Sequence, residues 1–188
     1  MPHSIFVGIT ETGKTTLARY QARKFRKLGH TVVVHDPVQT QTVGGGWGDG
    51  SIIYDDFDSM LDALDNFKHG KAHVFIDEAG DYFGVGDRDR QWILTRGRHM
   101  GYNVNLIAQR PKMIAPNVRN QATFGYIFRI SPDDLDDIGQ DFGHSGLGKT
   151  LIDQGEFLVL TTYTPKIERG TLNGLGMPLT NQPKESQI

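Results

Sequence analysis

The sequence predicts an α/β fold, a mostly parallel central sheet sandwiched between helices. Three observations predict it. Strand-like and helix-like runs alternate along the chain, the strand-like runs are mostly apolar, and the first of them leads through a glycine-rich turn into a long helix. Continuously apolar strands belong to parallel sheets covered on both faces, and such sheets bind ligands at the carboxyl ends of their strands. Residues 4–8 (SIFVG) read as the first strand, and residues 14–28 as a helix closed by Gly29. Residues 31–35 (TVVVH) form a β-branched strand that Asp36-Pro37 ends. The glycine-rich stretch 44–50, with Trp47 in it, cannot hold regular structure and reads as a mobile loop. A helix follows at 57–67, where Phe57, Met60, Leu61, Leu64 and Phe67 share one stripe. Strands at 73–77 (HVFID), 103–108, 123–130 and 156–163, a helix at 91–100 and a loop at 84–89 complete the alternation. Ser131-Pro132-Asp133-Asp134 starts a further helix, with serine as cap, proline in the first turn and acids at the positive end. Residues 1–165 form the expected domain, and the polar, Gly-, Pro- and Asn-rich stretch 166–188 an arm or tail.

A chain of 188 residues suits one compact domain with a real core. With 20 Lys+Arg against 22 Asp+Glu, the net charge of −2 argues against a protein that coats nucleic acid with its whole surface. Local basic runs persist, notably Arg19, Arg23, Lys24, Arg26 and Lys27, and such a run is ordinarily a solvated helix face. The absence of cysteine excludes disulfides, thiolate metal sites and cysteine nucleophiles. Apolar runs fall far short of the ~18–20 residues that cross a bilayer, so no transmembrane segment is expected.

Gly8-Ile9-Thr10-Glu11-Thr12-Gly13-Lys14-Thr15 matches G-x-x-x-x-G-K-[ST], with a strand before it and a helix after it. Such a loop turns its backbone N–H groups inward around phosphate oxygens, and the helix adds the positive end of its dipole. Gly8, Thr10, Glu11, Thr12, Gly13, Lys14, Thr15 and Thr16 are therefore the expected phosphate-binding residues. Lys14 reaches the β- and γ-phosphates, and the Thr15 hydroxyl ligates Mg²⁺. The pattern recurs at residues 143–150 (GHSGLGKT), but an acidic stretch precedes it and Gly155 follows too soon for a helix, so it reads as a surface loop. The apolar strand 74–76 ends in Asp77 and Glu78. Asp77 is placed to hold Mg²⁺, and Glu78 to polarise an attacking water, which makes hydrolysis the expected reaction. Gln109, at the end of another strand, is placed to contact the γ-phosphate or the lytic water. Between these strands, Arg96 and Arg98 read either as arginines offered to a neighbouring subunit's γ-phosphate or as cations suiting a helix C-terminus.

The series GITETGKT, HVFIDEAG and RGRHMGYNVNLIAQRP resembles the FtsK/HerA superfamily of P-loop ATPases, over about residues 4–130. The minimal size is similar to that of the genome-packaging ATPases of icosahedral viruses with an internal membrane. The resemblance implies a RecA-like, ASCE-type fold in which the sensor strand separates the Walker A and Walker B strands. It implies an ATP- and Mg²⁺-dependent motor that translocates double-stranded DNA, working as a homo-oligomeric ring, typically a hexamer, at the packaging vertex of a virion or in the host cytoplasm. Capsid or membrane proteins of that vertex are the implied partners. Lys14, Thr15, Asp77, Glu78 and Gln109 then carry the site, and Arg96, Arg98 and Arg110 are the candidates to act in trans. Alternatives are a Zot-like extrusion ATPase, which typically carries a membrane segment, and a nucleotide-dependent switch or scaffold. DNA contact is expected from loops at 43–51 and 84–90, with Trp47 either stacking on DNA or plugging the fold. The base is expected near residues 162–165.

Overall fold

The computed structural model describes residues 2–38 and 46–175. In chain order the regular elements are β1 (His3–Val7), α1 (Lys14–Lys27), β2 (Val32–His35), β3 (Ile52–Tyr54), α2 (Phe57–Asp65), β4 (Ala72–Ile76), α3 (Trp92–His99), β5 (Tyr102–Ala108), α4 (Pro116–Arg119), β6 (Ala122–Ile127), α5 (Pro132–Asp141), β7 (Glu156–Thr161) and β8 (Thr164–Thr171). They form one eight-stranded sheet in the order β3-β2-β4-β5-β1-β6-β7-β8. The first six strands in that order run parallel; β7 is antiparallel to β6, and β8 antiparallel to β7.

The apolar strands are buried on both sides, as their composition requires. β1, β2, β4 and β5 are buried along their whole length. On one face, α2, α3 and α5 lay Met60, Leu61, Leu64, Ile93, Leu94, Leu135 and Ile138 against Ile5, Val74 and Val104. On the other, α1 lays Leu17, Ala18 and Ala22 against Phe6, Val34 and Phe75. Ser131 caps α5 as its sequence signature predicts, accepting the Asp134 amide at 3.2 Å.

Two expectations give way, and one alternative is decided. Ile52–Tyr54, too short to show alternation, pairs in parallel with β2 as the outermost strand. The sheet also continues past residue 165: Thr164–Thr171 is a strand, and Leu172 beyond it is 2% exposed. β8 is an edge strand open to solvent along nearly its whole length, so it carries no apolar alternation to read. Residues 176–188 of the expected tail lie outside the described residues. Finally, Trp47 is a plug: its ring is 2% exposed and packs 5.7 Å from Phe75. Of the loop expected at 43–51, positions 43–45 lie outside the described residues.

Candidate active site

The carboxyl ends of β1, β5 and β4 lie side by side at one edge of the sheet. β1 stops at Val7, and residues 8–13 turn back into α1. Gly13, the residue before α1, has φ 107, a left-handed conformation that suits glycine, and a Cβ there would lie 2.3 Å from Leu172 Cδ1. Gly8 is likewise pressed on its outer side, where a Cβ would meet Phe128 Cβ at 2.5 Å. The loop closes on itself through Ile9, whose carbonyl accepts from Thr12 Oγ1 at 2.8 Å and from Lys14 Nζ at 3.1 Å. No side chain caps α1, so its leading amides and dipole face the loop. Thr10 and Glu11 are exposed on the loop, and Thr16 is half-buried in the first turn of α1. That is the arrangement an anion needs.

Facing the loop, β4 ends and Asp77 follows. The Thr15 hydroxyl donates to Asp77 Oδ2 at 3.4 Å, and the Glu78 amide donates to Asp77 Oδ1 at 3.1 Å. Burial is the chief reason the Asp77 carboxyl is pushed up to about 6; the negative charges of Glu78 and Asp36 add to it, while the Glu78 amide and Arg19 oppose it. Burial lowers the Lys14 ammonium, against the pull of Asp77 and Glu78. Both shifts report charges held out of water without a full complement of partners. Glu78 adopts φ 51, ψ 41, a left-handed conformation uncommon for a side-chain-bearing residue and a form of strain found at functional sites. A cleft of about 390 Å³ opens between Thr10, Glu11 and Thr15 on one side and Asp36, Asp77 and Glu78 on the other.

Gln109 follows β5, which lies between β1 and β4; Ala108 pairs with Val7, so Gln109 stands beside Gly8 and is exposed. Arg110 is next, held to Asp134 by bonds of 2.8 and 3.3 Å. Burial pulls the Asp134 carboxyl up, but Arg110 and Lys112 prevail and hold it below its ordinary value. Arg96 and Arg98 are elsewhere. α3 returns the chain to the start of β5, so its last turn sits at the amino edge of the parallel strands, away from the phosphate loop. There Arg98 donates to Gln121 O at 3.0 Å, just before β6, and Arg96 pairs with Asp65. The structure does not bring either arginine to the loop of its own chain.

Residues 162–165 also lie at that amino edge, because β7 is antiparallel and Thr161 pairs with Phe124 near the start of β6. The expectation that they hold the base is therefore overturned. At the carboxyl edge the loop is instead buttressed by residues that carry no sequence signal. Gln154 Nε2 donates to Glu11 O at 2.6 Å, and Leu172 packs behind Gly13. Asp36, which follows β2 as Asp77 follows β4, is a further neighbour at this edge.

Neither a protein-family model nor a curated protein matches the sequence. Solved structures do match the fold. The genome packaging NTPase of Sulfolobus turreted icosahedral virus 2, in complex with AMPPCP, superposes with a TM-score of 0.72 at 20% identity, over 89% of this chain and 96% of that one. The DNA-packaging ATPase of Sulfolobus turreted icosahedral virus gives 0.74 at 20% identity, over 89% and 96%. The conjugation coupling protein TcpA of pCW3, with ATPγS, gives 0.65 at 18%, over 90% of this chain but 59% of that one. The chain has the fold of these P-loop ATPases, with the strand ending at Gln109 between the strands that end in the phosphate loop and in Asp77.

Proposed function

We propose that this chain is an ATP-hydrolysing motor subunit that translocates double-stranded DNA and packages a viral genome. The observation that carries the reading is the joint placement of Thr15, Asp77 and Glu78 around one cleft at the carboxyl edge of the sheet, with Lys14 near enough to feel both carboxylates. The likeness in fold to viral packaging NTPases, over 89% of this chain, supports it.

The residues present suit a nucleotide and its metal. The curved loop from Gly8 to Gly13 presents amides to phosphate, and Thr15 and Asp77 offer two hard oxygen donors 3.4 Å apart. Thr15 and Asp77 would hold Mg²⁺, and the metal would supply charge neutralisation at the phosphates. Lys14 exchanges its contact with the Ile9 carbonyl for the β- and γ-phosphates, whose negative charge offsets its burial. Glu78 accepts the proton of the attacking water, and Gln109 orients that water from the adjoining strand. Arg96 or Arg98 reaches the γ-phosphate from a neighbouring subunit in a homo-oligomeric ring, or Arg110 does so from the near edge. DNA is held through its phosphates, without strong sequence preference and with steep salt dependence. Such a protein acts at the packaging vertex of the virion or in the host cytoplasm, beside capsid or membrane proteins.

ATP turnover of the parent against Glu78→Gln, with and without double-stranded DNA, tests the reading. Turnover stimulated by DNA, and at least about 100-fold slower in Glu78→Gln with ATP still bound, is the expected result. Equal turnover in the two proteins overturns the role of Glu78, and turnover indifferent to DNA overturns the motor.

A further inference from the structure

The far end of α1 carries positive charge that the hydrolytic scheme leaves unused. Arg23, Lys24, Arg26 and Lys27 crowd its last turns, and Arg23, Arg26 and Lys27 share one face because residues three and four apart are neighbours on a helix. Together with Gly48 and Asp49 these three line an open hollow of about 290 Å³. The segment 46–51 is drawn against them. Arg23 donates to Gly46 O at 2.8 Å, and Arg26 donates to Asp49 O at 3.3 Å and to His30 O at 2.8 Å. Glycine permits that approach: a Cβ on Gly48 would lie 2.9 Å from Arg23 Cγ, and one on Gly50 would lie 2.6 Å from a terminal nitrogen of Arg26. Neutral carbonyls thus hold the Arg26 guanidinium in place without cancelling its charge.

That charge is uncompensated. Among the described residues Lys24, Arg26 and Lys27 form no ion pair, and both lysines are exposed. Arg90, Arg96, Arg110, Arg119 and Arg169, by contrast, each hold a carboxylate of their own chain. The dipole of α1 favours cations in its last turn, but it does not call for a hollow walled by them. Asp49, the acid among the lining residues, is exposed and would oppose an anion there. A neighbouring copy is a poor match for the patch, because α5, the most acidic helix, gives Asp134, Asp137 and Asp141 to Arg110 and Arg119. A dense, regular row of anionic groups suits it better, and duplex DNA presents one charge per roughly 1.7 Å of its axis.

We propose that the last turns of α1, with the segment 46–51, form a docking surface for the phosphate backbone of duplex DNA. The proposal rests on the DNA partner of the reading above and assigns that partner a surface apart from the phosphate cleft. Lys27 ends the 14-residue helix that Lys14 begins, about 20 Å away at the usual rise, so DNA held here does not compete with nucleotide.

The test is binding of a short labelled duplex of random sequence, followed by anisotropy over a salt series with a non-hydrolysable ATP analogue and Mg²⁺ present. Lys24→Gln/Lys27→Gln is expected to weaken binding about tenfold near 0.1 M salt and to reduce the slope of log affinity against log salt by about 2. Lys149→Gln/Lys166→Gln makes the same change in net charge on other surfaces and is expected to bind as the parent does. Asp49→Asn removes the opposing carboxylate and is expected to tighten binding by about twofold, an arm that no loss of folding can imitate. DNA-free ATP turnover should keep its parent value in all three variants. Equal weakening in the two lysine pairs overturns the proposal and leaves the motor reading standing. So does patch-dependent binding to vesicles of anionic lipid without patch-dependent binding to DNA. A parent chain that does not bind the duplex overturns both.

Discussion

Residues 8–15 and 143–150 spell the same eight-position pattern, and only one of them makes a cradle. The first leaves a buried strand and enters a helix of 14 residues, so its amides converge and a helix dipole stands behind them. The second leaves α5 and enters a 3₁₀ turn, Leu147–Lys149, then extended chain. Its Gly148 amide, which a phosphate would need, already donates to Asp136 Oδ1 at 2.7 Å. Glycine serves close packing there: a Cβ on Gly148 would meet Asp136 Oδ2 at 2.6 Å and Pro132 O at 2.8 Å. The pattern encodes curvature; the flanking elements decide what the curvature holds.

The two loops can be pulled apart experimentally. The largest contrast is expected at the lysines. Lys14→Ala should lower ATP turnover by about 100-fold or more, whereas Lys149→Ala, an exposed side chain, should stay within about twofold; steady-state turnover decides. Next come the glycines. Gly13→Ala and Gly148→Ala should each destabilise the fold by about 1–3 kcal/mol in denaturant titration, the first through backbone strain and crowding, the second through crowding alone. Only Gly13→Ala should also weaken nucleotide binding.

The acids give the smallest and most telling contrast. Asp77 has its carboxyl raised by burial to about 6 in the fold, above the ordinary value of 3.8. A raised acid binds its proton more tightly in the native chain, so its penalty on stability appears as pH climbs through 3.8 and is complete above about 6. Asp77→Asn should therefore stabilise the nucleotide-free chain at pH 7 by roughly 1 kcal/mol, and by nothing near pH 3, as thermal melts at the two pH values would reveal. Asp136→Asn should lower the melting temperature at pH 7 instead, because it weakens the bond to the Gly148 amide. Equal signs for the two asparagine variants would mean that both loops are merely structural.

Where local chemistry is decisive, the sequence is transparent. The passage from β1 into α1 needs Gly13 and Lys14 at fixed spacing, and Asp77-Glu78 stands out because two acids end an apolar strand. Gln109 is legible by the same rule. What escaped depends on distant partners. β8 stays polar because nothing covers it, so no periodicity announces it. Arg19, Arg23 and Arg26 look like a solvated basic face, yet they bind the Asp36 carboxylate and the carbonyls of Gly46 and Asp49. The glycines around Trp47 suggest a free loop, and the buried indole shows an anchored one. Arg96 and Arg98 stand close to Asp77 and Gln109 in sequence, whereas their edge of the sheet is set by the direction in which α3 returns.

That edge has a consequence for kinetics. β1 spans 5 residues, or roughly 17 Å at the usual rise of a strand, and it separates the phosphate loop from the end of the sheet where Arg98 is tethered. No side chain covers such a span. If Arg98 contributes to turnover, the rate per molecule must climb with protein concentration and collapse on dilution, and a mixture of Lys14→Ala and Arg98→Ala chains should recover activity that neither has alone.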